Sequence, residues 1–406
     1  MGADPLFSNG LNLAVWLILV VKVVIVFLIV LLSVLFMIMY ERKVVARMGV
    51  RYGPNRAGPN GWLQSLADGT KLLFKESFTP RNADKAVYKV APYLMLIPMM
   101  ITFAIVPLGG MVTIAHHRTE IQLADPPWGI LFLLMMSGIA VYGVMLAGWS
   151  SGSKYPLLGA VRASGQMISY EAVLGLTTAT VVLVTGSLST SKIVAAQSGH
   201  LAFVHWNLIH TAIIPFILFS IAITAEMERP PFDLLEAEEE LSGGFNLEYA
   251  SVDFAWFYLA NYASLVTNSA IIVTLWLGGP NGPTIDGWSV GPVWFTAKVL
   301  VVLYIFVWIR ATLPRLRYDQ LMEFGWKQLI PASLLMLMVV AGFQATNTRT
   351  AHGTVRWFVD REWGLVAVGV AIILTVFLVR AIDVGRQATE LDAAQDGRLA
   401  PREVDL

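Results

Sequence analysis

The chain contains no cysteine, which excludes disulfides, thiolate zinc sites and cysteine-ligated iron–sulfur clusters together. Charge is also scarce: only 14% of the 406 residues are Asp, Glu, Lys or Arg, against about 25% in a water-soluble domain. The 28 basic residues are balanced by 28 acidic ones, so there is no cationic surplus with which to bind nucleic acid. A glycine-rich nucleotide loop is absent. The six histidines include the adjacent His116 and His117, but none has the spacing of a metal or haem pair, and no metal site is expected. Any electron transfer must therefore use centres carried by other subunits.

What fills the chain is apolar residue, 56% of the total, gathered into long runs. A membrane span needs roughly 20 such residues, and the runs predict nine spans, near 13–39, 91–115, 128–149, 167–187, 207–226, 251–277, 293–311, 328–344 and 363–382. The expected fold is an all-α polytopic membrane protein, a single membrane domain over 1–382 followed by a polar cytoplasmic tail, 383–406. The run from Leu13 to Tyr40 is too long for a signal-peptide core and reads as a retained first span. Lys22 within it reaches toward the interface. Residues 60–76 place Trp62, Leu63, Leu66, Leu73 and Phe74 opposite Gln64, Asp68, Lys71 and Lys75, the pattern of an amphipathic helix on the membrane surface.

Basic residues collect between spans one and two, from Arg42 to Lys89, and again at Arg310, Arg315 and Arg317, while the loop between spans six and seven has none. The positive-inside bias then puts the N-terminus outside and the main loops in the cytoplasm.

The inner loop between spans five and six breaks that bias. Glu226, Glu228, Asp233, Glu236, Glu238, Glu239, Glu240, Glu248 and Asp253 surround a single base, Arg229. Asp233, Glu236 and Glu240 would share one helical face, and Glu239 reads as a solvated acid facing a basic partner. Glu226, Glu228 and Glu248 lie at helix ends beside the membrane. Carboxylates crowded where hydration is limited cannot all ionise and must share protons, as a proton relay requires. Glu171, in Ser169–Tyr170–Glu171 near the inner end of span four, belongs with them, because an ionisable group in a span is costly and marks function. The alternative for Glu171 is a salt bridge to Arg162. Arg42, Arg47 and Arg51 could orient a polar head group arriving from the bilayer or contact lipid phosphates; composition leaves both open.

Four segments on alternate loops carry a resemblance. Residues 41–76 (ERKVVARMGVRYGPNRAGPNGWLQSLADGTKLLFKE), 147–171 (AGWSSGSKYPLLGAVRASGQMISYE), 225–249 (AEMERPPFDLLEAEEELSGGFNLEY) and 308–322 (WIRATLPRLRYDQLM) resemble the four inner loops of the quinone-site membrane subunit of respiratory complex I, the proton-pumping NADH:quinone oxidoreductase of bacterial plasma membranes. The resemblance spans roughly residues 10–345. It implies a chamber for a quinone, ubiquinone or menaquinone, with Arg42, Arg51, Asp68, Arg310, Arg315 and Arg317 in its wall. It implies a proton relay through Glu171, Glu226, Asp233, Glu236, Glu238 and Glu248, with Arg229 as countercharge, to which the crowding of helix-end carboxylates adds Glu228. NADH, FMN and iron–sulfur clusters would belong to partner subunits. The partners implied are the peripheral-arm iron–sulfur and quinone-site subunits, and the small and antiporter-like membrane subunits in the bilayer. One departure stands out: Asn261-Tyr262 occupies a place where that family commonly has Glu-Tyr. Rival readings are the equivalent subunit of a membrane-bound hydrogenase and a proton-coupled secondary transporter.

Overall fold

The computed structural model describes Leu6, residues 12–114, 117–198, 205–211, 213–233, 243–282, 291–348 and Arg380. Its helices, in chain order, are α1 (Leu13–Met48), α2 (Gln64–Phe74), α3 (Lys85–Thr102), α4 (Gly129–Ser150), α5 (Lys154–Thr185), α6 (Thr190–Ala196), α7 (Asn207–His210), α8 (Ile214–Glu226), α9 (Ser251–Trp276), α10 (Gly291–Thr312), α11 (Tyr318–Glu323) and α12 (Ile330–Thr348). A π-helical turn, Phe324–Leu329, joins α11 to α12.

Among the described residues, seven helical stretches are long and apolar enough to cross a membrane, and α8 is a shorter apolar helix. The expected all-α membrane fold is therefore present, with the count of nine not reached. The expected span 207–226 is split at Ile213, whose φ of 62° lies where helices of L-residues do not run. The ninth expected span, 363–382, and the tail lie outside the described residues.

Two boundaries differ in an instructive way. The second span begins at Lys85, where the Asp84 side chain accepts a hydrogen bond from Ala86 N at 3.2 Å, a normal N-cap. It ends by Ile105, so Pro107 lies beyond it. The residues expected to finish that span instead form an antiparallel hairpin, β1 (Met111–Ile114) with β2 (His117–Glu120). The fourth span starts at Lys154 rather than near 167 and runs 32 residues. Glu171 is thus 14 residues, or about 21 Å at 1.5 Å per residue, from the C-terminal end of α5 and well within the helix.

Helix α9 is the centre of the bundle: every residue from Tyr262 to Trp276 is buried. It packs on α1, α3 and α10, while α4 lies between α3 and α5, and α5 also meets α8 and α12. Close approach of α3 and α4 depends on Gly143, where an added Cβ would lie 2.7 Å from Met95 N and 3.1 Å from Ala91 O. The loops after α1, α4, α8 and α10 meet at one end of the bundle. Asp84 N donates to Ser150 O at 3.0 Å, and Leu316 N donates to Pro231 O at 3.0 Å. At the other end, Lys298 Nζ donates to the carbonyls of Leu277, Gly279 and Asn281 at 2.6–2.9 Å and closes off the end of α9.

Gly143→Ala should destabilise the protein by about 1–3 kcal/mol through overpacking against backbone, read as a lower unfolding temperature in detergent. Gly175→Ala, where an added Cβ meets nothing within 4 Å, should be neutral or gain about 0.5–1 kcal/mol. Equal effects at the two sites would contradict the α3–α4 packing described.

Candidate functional site

Three segments converge on one carboxylate at this end. Glu41, in the last part of α1, is 4% exposed. Arg229, from the loop after α8, donates to both of its oxygens, at 3.0 and 3.1 Å. Arg310, from α10, also donates to Oε1. The Arg229 guanidinium lies 4.5 Å over the ring of Tyr262, whose hydroxyl is 3.3 Å from that of Tyr258. A buried carboxylate is tolerable only when paired and hydrogen-bonded. Here that pairing ties together three segments far apart in sequence. Sequence reasoning missed Glu41 as a site residue, because it stands at the head of the basic run Glu41-Arg42-Lys43 and reads as part of it. The signal available was an acid directly at the end of an apolar span.

Three hollows adjoin this centre. One, of about 370 Å³, is lined by Glu41, Arg42, Arg51, Tyr258, Tyr262 and Arg310, among others. Arg51, Tyr52, Gly53 and Pro54 also line a groove of about 980 Å³, whose other wall includes Phe36, Tyr40, Val44 and Trp62. Tyr258, Tyr262 and Arg310 are shared in turn with a hollow of about 170 Å³ that contains Glu228, Arg229, Asp233 and Asn261. The succession runs from a mainly apolar groove edged by Lys43, Arg47 and Arg51, through a chamber where three arginines face one glutamate, to a pocket where the acids Glu228 and Asp233 face Arg229 and Arg310. Phe36 and Trp62 stack at 5.4 Å and are exposed, so the groove opens outward along the flank of α1.

The basic residues expected in the chamber separate into groups. Arg42 holds Asp68 at 2.7 Å, and Gln64 Nε2 donates to the same carboxylate at 3.2 Å. This lashes the amphipathic helix α2 to α1, together with Ser65 Oγ donating to Leu35 O at 3.0 Å. Arg315 approaches Asp233 at 3.5 Å. Arg317 is exposed at the N-cap of α11 and lines none of these three hollows.

Among the acids, Glu226, Glu228 and Asp233 are buried. Glu228 takes a φ of 54° in the sharp bend after α8. Gln166, fully buried on α5, braces that bend by donating to Ala225 O at 2.7 Å and Phe232 O at 2.8 Å. Glu171 lies 3.5 Å from Ser137 Oγ of α4. Arg162, its alternative partner, sits nine residues earlier on α5 and lies 5.7 Å over the ring of Tyr318. Glu248 is partly exposed, and its backbone carbonyl accepts from Tyr88 Oη at 2.8 Å. Tyr88 and Tyr249 stack at 4.0 Å beside it. Burial, with Asp253 nearby and only partly offset by Ser150, pushes the Tyr249 phenol up to about 12, so it remains a hydrogen-bond donor at physiological pH. Arg229, expected as countercharge among the loop acids, sends its hydrogen bonds to Glu41. Glu236 and Glu238 lie outside the described residues.

Such a fold and site define a class: a polytopic membrane protein with a charged chamber at one end of its bundle, reached from its apolar flank. Residues 21–341 match the family described as NADH dehydrogenase. The chain is 46% identical to the H subunit of NADH-quinone oxidoreductase from Frankia casuarinae, over 98% of this chain and 87% of that relative. It is also 46% identical to the corresponding NADH-quinone oxidoreductase subunit of Frankia alni, over 98% and 86%. The chain belongs to this family.

Burial pushes the Asp68 carboxyl up, but hydrogen bonds from Arg42 and Gln64 and the charges of Arg42 and Lys71 outweigh it and hold the carboxyl below its ordinary value. The sign is that of a depressed acid: the tether is fully present above the free carboxyl value of about 3.9 and is lost as pH falls through the lower, folded value. With no native cysteine, Ser65→Cys reports whether α2 stays seated. Labelling relative to a cysteine at exposed Thr70 should be constant from about pH 8 to about pH 5. Asp68→Asn should raise it at neutral pH, by no more than about fivefold for a pair this exposed. A labelling change between those pH values with Asp68 intact would contradict the tether.

Proposed function

We propose that this chain is the quinone-site membrane subunit of a proton-translocating NADH-quinone oxidoreductase in a bacterial plasma membrane, and that its chamber receives the quinone head group. The observation that carries this reading is the continuous succession of hollows from the outward-facing groove to the acidic pocket. A lipid-soluble quinone would enter along Phe36, Tyr40 and Trp62, and its head group would reach Arg42, Arg51 and Arg310. Arginines keep their charge in such a setting and offer directed donors, suited to the negative charge that develops on the head group during reduction. Electrons would come from NADH by way of FMN and iron–sulfur clusters in partner subunits. The exposed loops at the chamber end, with α2 and Arg317, would meet the peripheral arm. Loop placement at one end agrees with a cytoplasmic location for that end.

Coupling follows from electrostatics. Charge developing beside Glu41 and Arg310 perturbs Glu228 and Asp233 across the shared wall of Tyr258 and Tyr262, and through them Glu226 and Glu171. Glu236, Glu238 and Glu248 would extend the same acid chain toward the antiporter-like subunits. Moving one charge against 100 mV costs about 2.3 kcal/mol, and a one-unit change in proton affinity supplies about 1.36 kcal/mol, so perturbations of a few units suffice. Asn261 lines the acidic pocket but holds no exchangeable charge, and it would act there by hydrogen bonding.

In membrane vesicles bearing the assembled complex, Glu171→Gln and Glu226→Gln should each reduce quinone reduction and proton pumping by about 100-fold or more with assembly unchanged. Normal coupled turnover in both variants would remove the relay.

A further inference from the structure

The step between Glu226 and Glu171 has its own chemistry. Ser137 on α4, a helix that carries no charged residue, faces the carboxyl of Glu171 on α5 and that of Glu226 at the end of α8. Its Oγ–H bonds back to Leu134 O at 3.0 Å, the Oγ lies 3.5 Å from Glu171 Oε1, and it is within hydrogen-bond reach of Glu226 as well. Ser137 is 9% exposed and Glu226 7%, so little water reaches the gap. The next residue is Gly138, where an added Cβ would come 3.2 Å from Glu171 Oε1. A glycine here leaves room for the Glu171 carboxyl beside the serine.

A buried carboxyl, Glu226, and a half-buried one, Glu171, repel at this range when both are ionised, and two ionised carboxylates cannot hydrogen-bond one another. A hydroxyl between them solves both problems, since it accepts from a protonated carboxyl and donates to an ionised one. We propose that Ser137 is a proton-bridging residue, passing a proton between Glu226 and Glu171. The O–H bond of the protonated carboxyl breaks as a new one forms at Oγ. The original Oγ–H bond breaks as its proton goes to the other carboxylate. One carboxyl loses a proton, the other gains one, and the serine ends neutral. The back-bond to Leu134 O keeps the hydroxyl parked on α4 between transfers, and rotation about the Cβ–Oγ bond turns its O–H to the carboxylate.

This inference rests on the relay reading, and the experiment separates the two. In vesicles containing the intact complex, Ser137→Ala should slow coupled turnover roughly tenfold, below the range for a directly acting acid or base because water can partly replace the hydroxyl. The solvent isotope effect on turnover should rise with it, and Ser137→Thr should restore both. Wild-type turnover in Ser137→Ala, with Glu171→Gln still impaired, would overturn the bridge and leave the relay standing. Slow turnover with an unchanged isotope effect would mark a packing defect and also overturn it. Normal turnover in Glu171→Gln itself would end both readings. If Ser137→Ala fails to assemble, Ser137→Cys, with a weaker donor of similar size, should show partial slowing with a raised isotope effect, and wild-type behaviour there would overturn the bridge.

Discussion

The ion cluster of Glu41, Arg229 and Arg310 is the constraint on which the site depends. Each of its members comes from a different part of the chain: the end of α1, the bend after α8 and the end of α10. Removing one partner from a buried pair leaves an uncompensated charge and costs about 3–5 kcal/mol, so the cluster holds three segments in one arrangement. It also sets the wall between the chamber and the acidic pocket, because Arg310 faces both and Arg229 lies over Tyr262. Two arginines on one carboxylate leave a positive surplus beside the chamber. Any negative charge arriving there would compete with Glu41 for the same guanidiniums, and in the proposed coupling that competition would carry an event in the chamber to the bend with Glu228 and Asp233.

The bend itself is held from two sides. Gln166 grips the carbonyls of Ala225 and Phe232, one residue before Glu226 and one before Asp233. Leu316 donates to Pro231 from the loop after α10. Tyr170, next to Glu171, donates to Leu321 O at 3.0 Å, and Ser169 accepts from Trp326 Nε1 at 3.0 Å. The acids of α5 and α8 are thus supported by α11, the π-helical turn and the loop that also supplies Arg315. These acids and the chamber share one framework, through which the proposed relay would be coupled mechanically as well as electrostatically.

Much of this was legible in the sequence where hydropathy alone decides the outcome. The expected spans 128–149, 251–277 and 293–311 fall within two residues of α4, α9 and α10. The amphipathic stretch 60–76 contains α2. The misses have particular causes. Pro156, Arg162 and Gln166 depress hydropathy in the first half of α5, yet the helix persists because Pro156 lies in its first turn, where proline is tolerated, and Gly159, Ala160 and Ala163 let it pack closely. Pro107 with Gly109 and Gly110 ends the second span early and feeds a hairpin whose β-branched Val112, Thr113 and Ile114 read equally well as span. For the site, the residue types were visible, but partner choice was not. Arg229 pairs with a glutamate 188 positions away, and no spacing rule reports a contact of that range.

The central claim is that the groove beside α1 and the chamber at Glu41 form one binding path. A second hollow of adequate size, about 650 Å³, lies between α8, α10 and the π-helical turn and is lined mostly by apolar residues such as Phe216, Val302 and Phe306. Photolabelling of the intact complex with an azidoquinone, followed by peptide mapping, distinguishes them. Label is expected on residues 36–62 and 258–262, suppressed by excess quinone. Label confined to residues 216–232 and 302–328, with residues 36–62 unmodified, would contradict it.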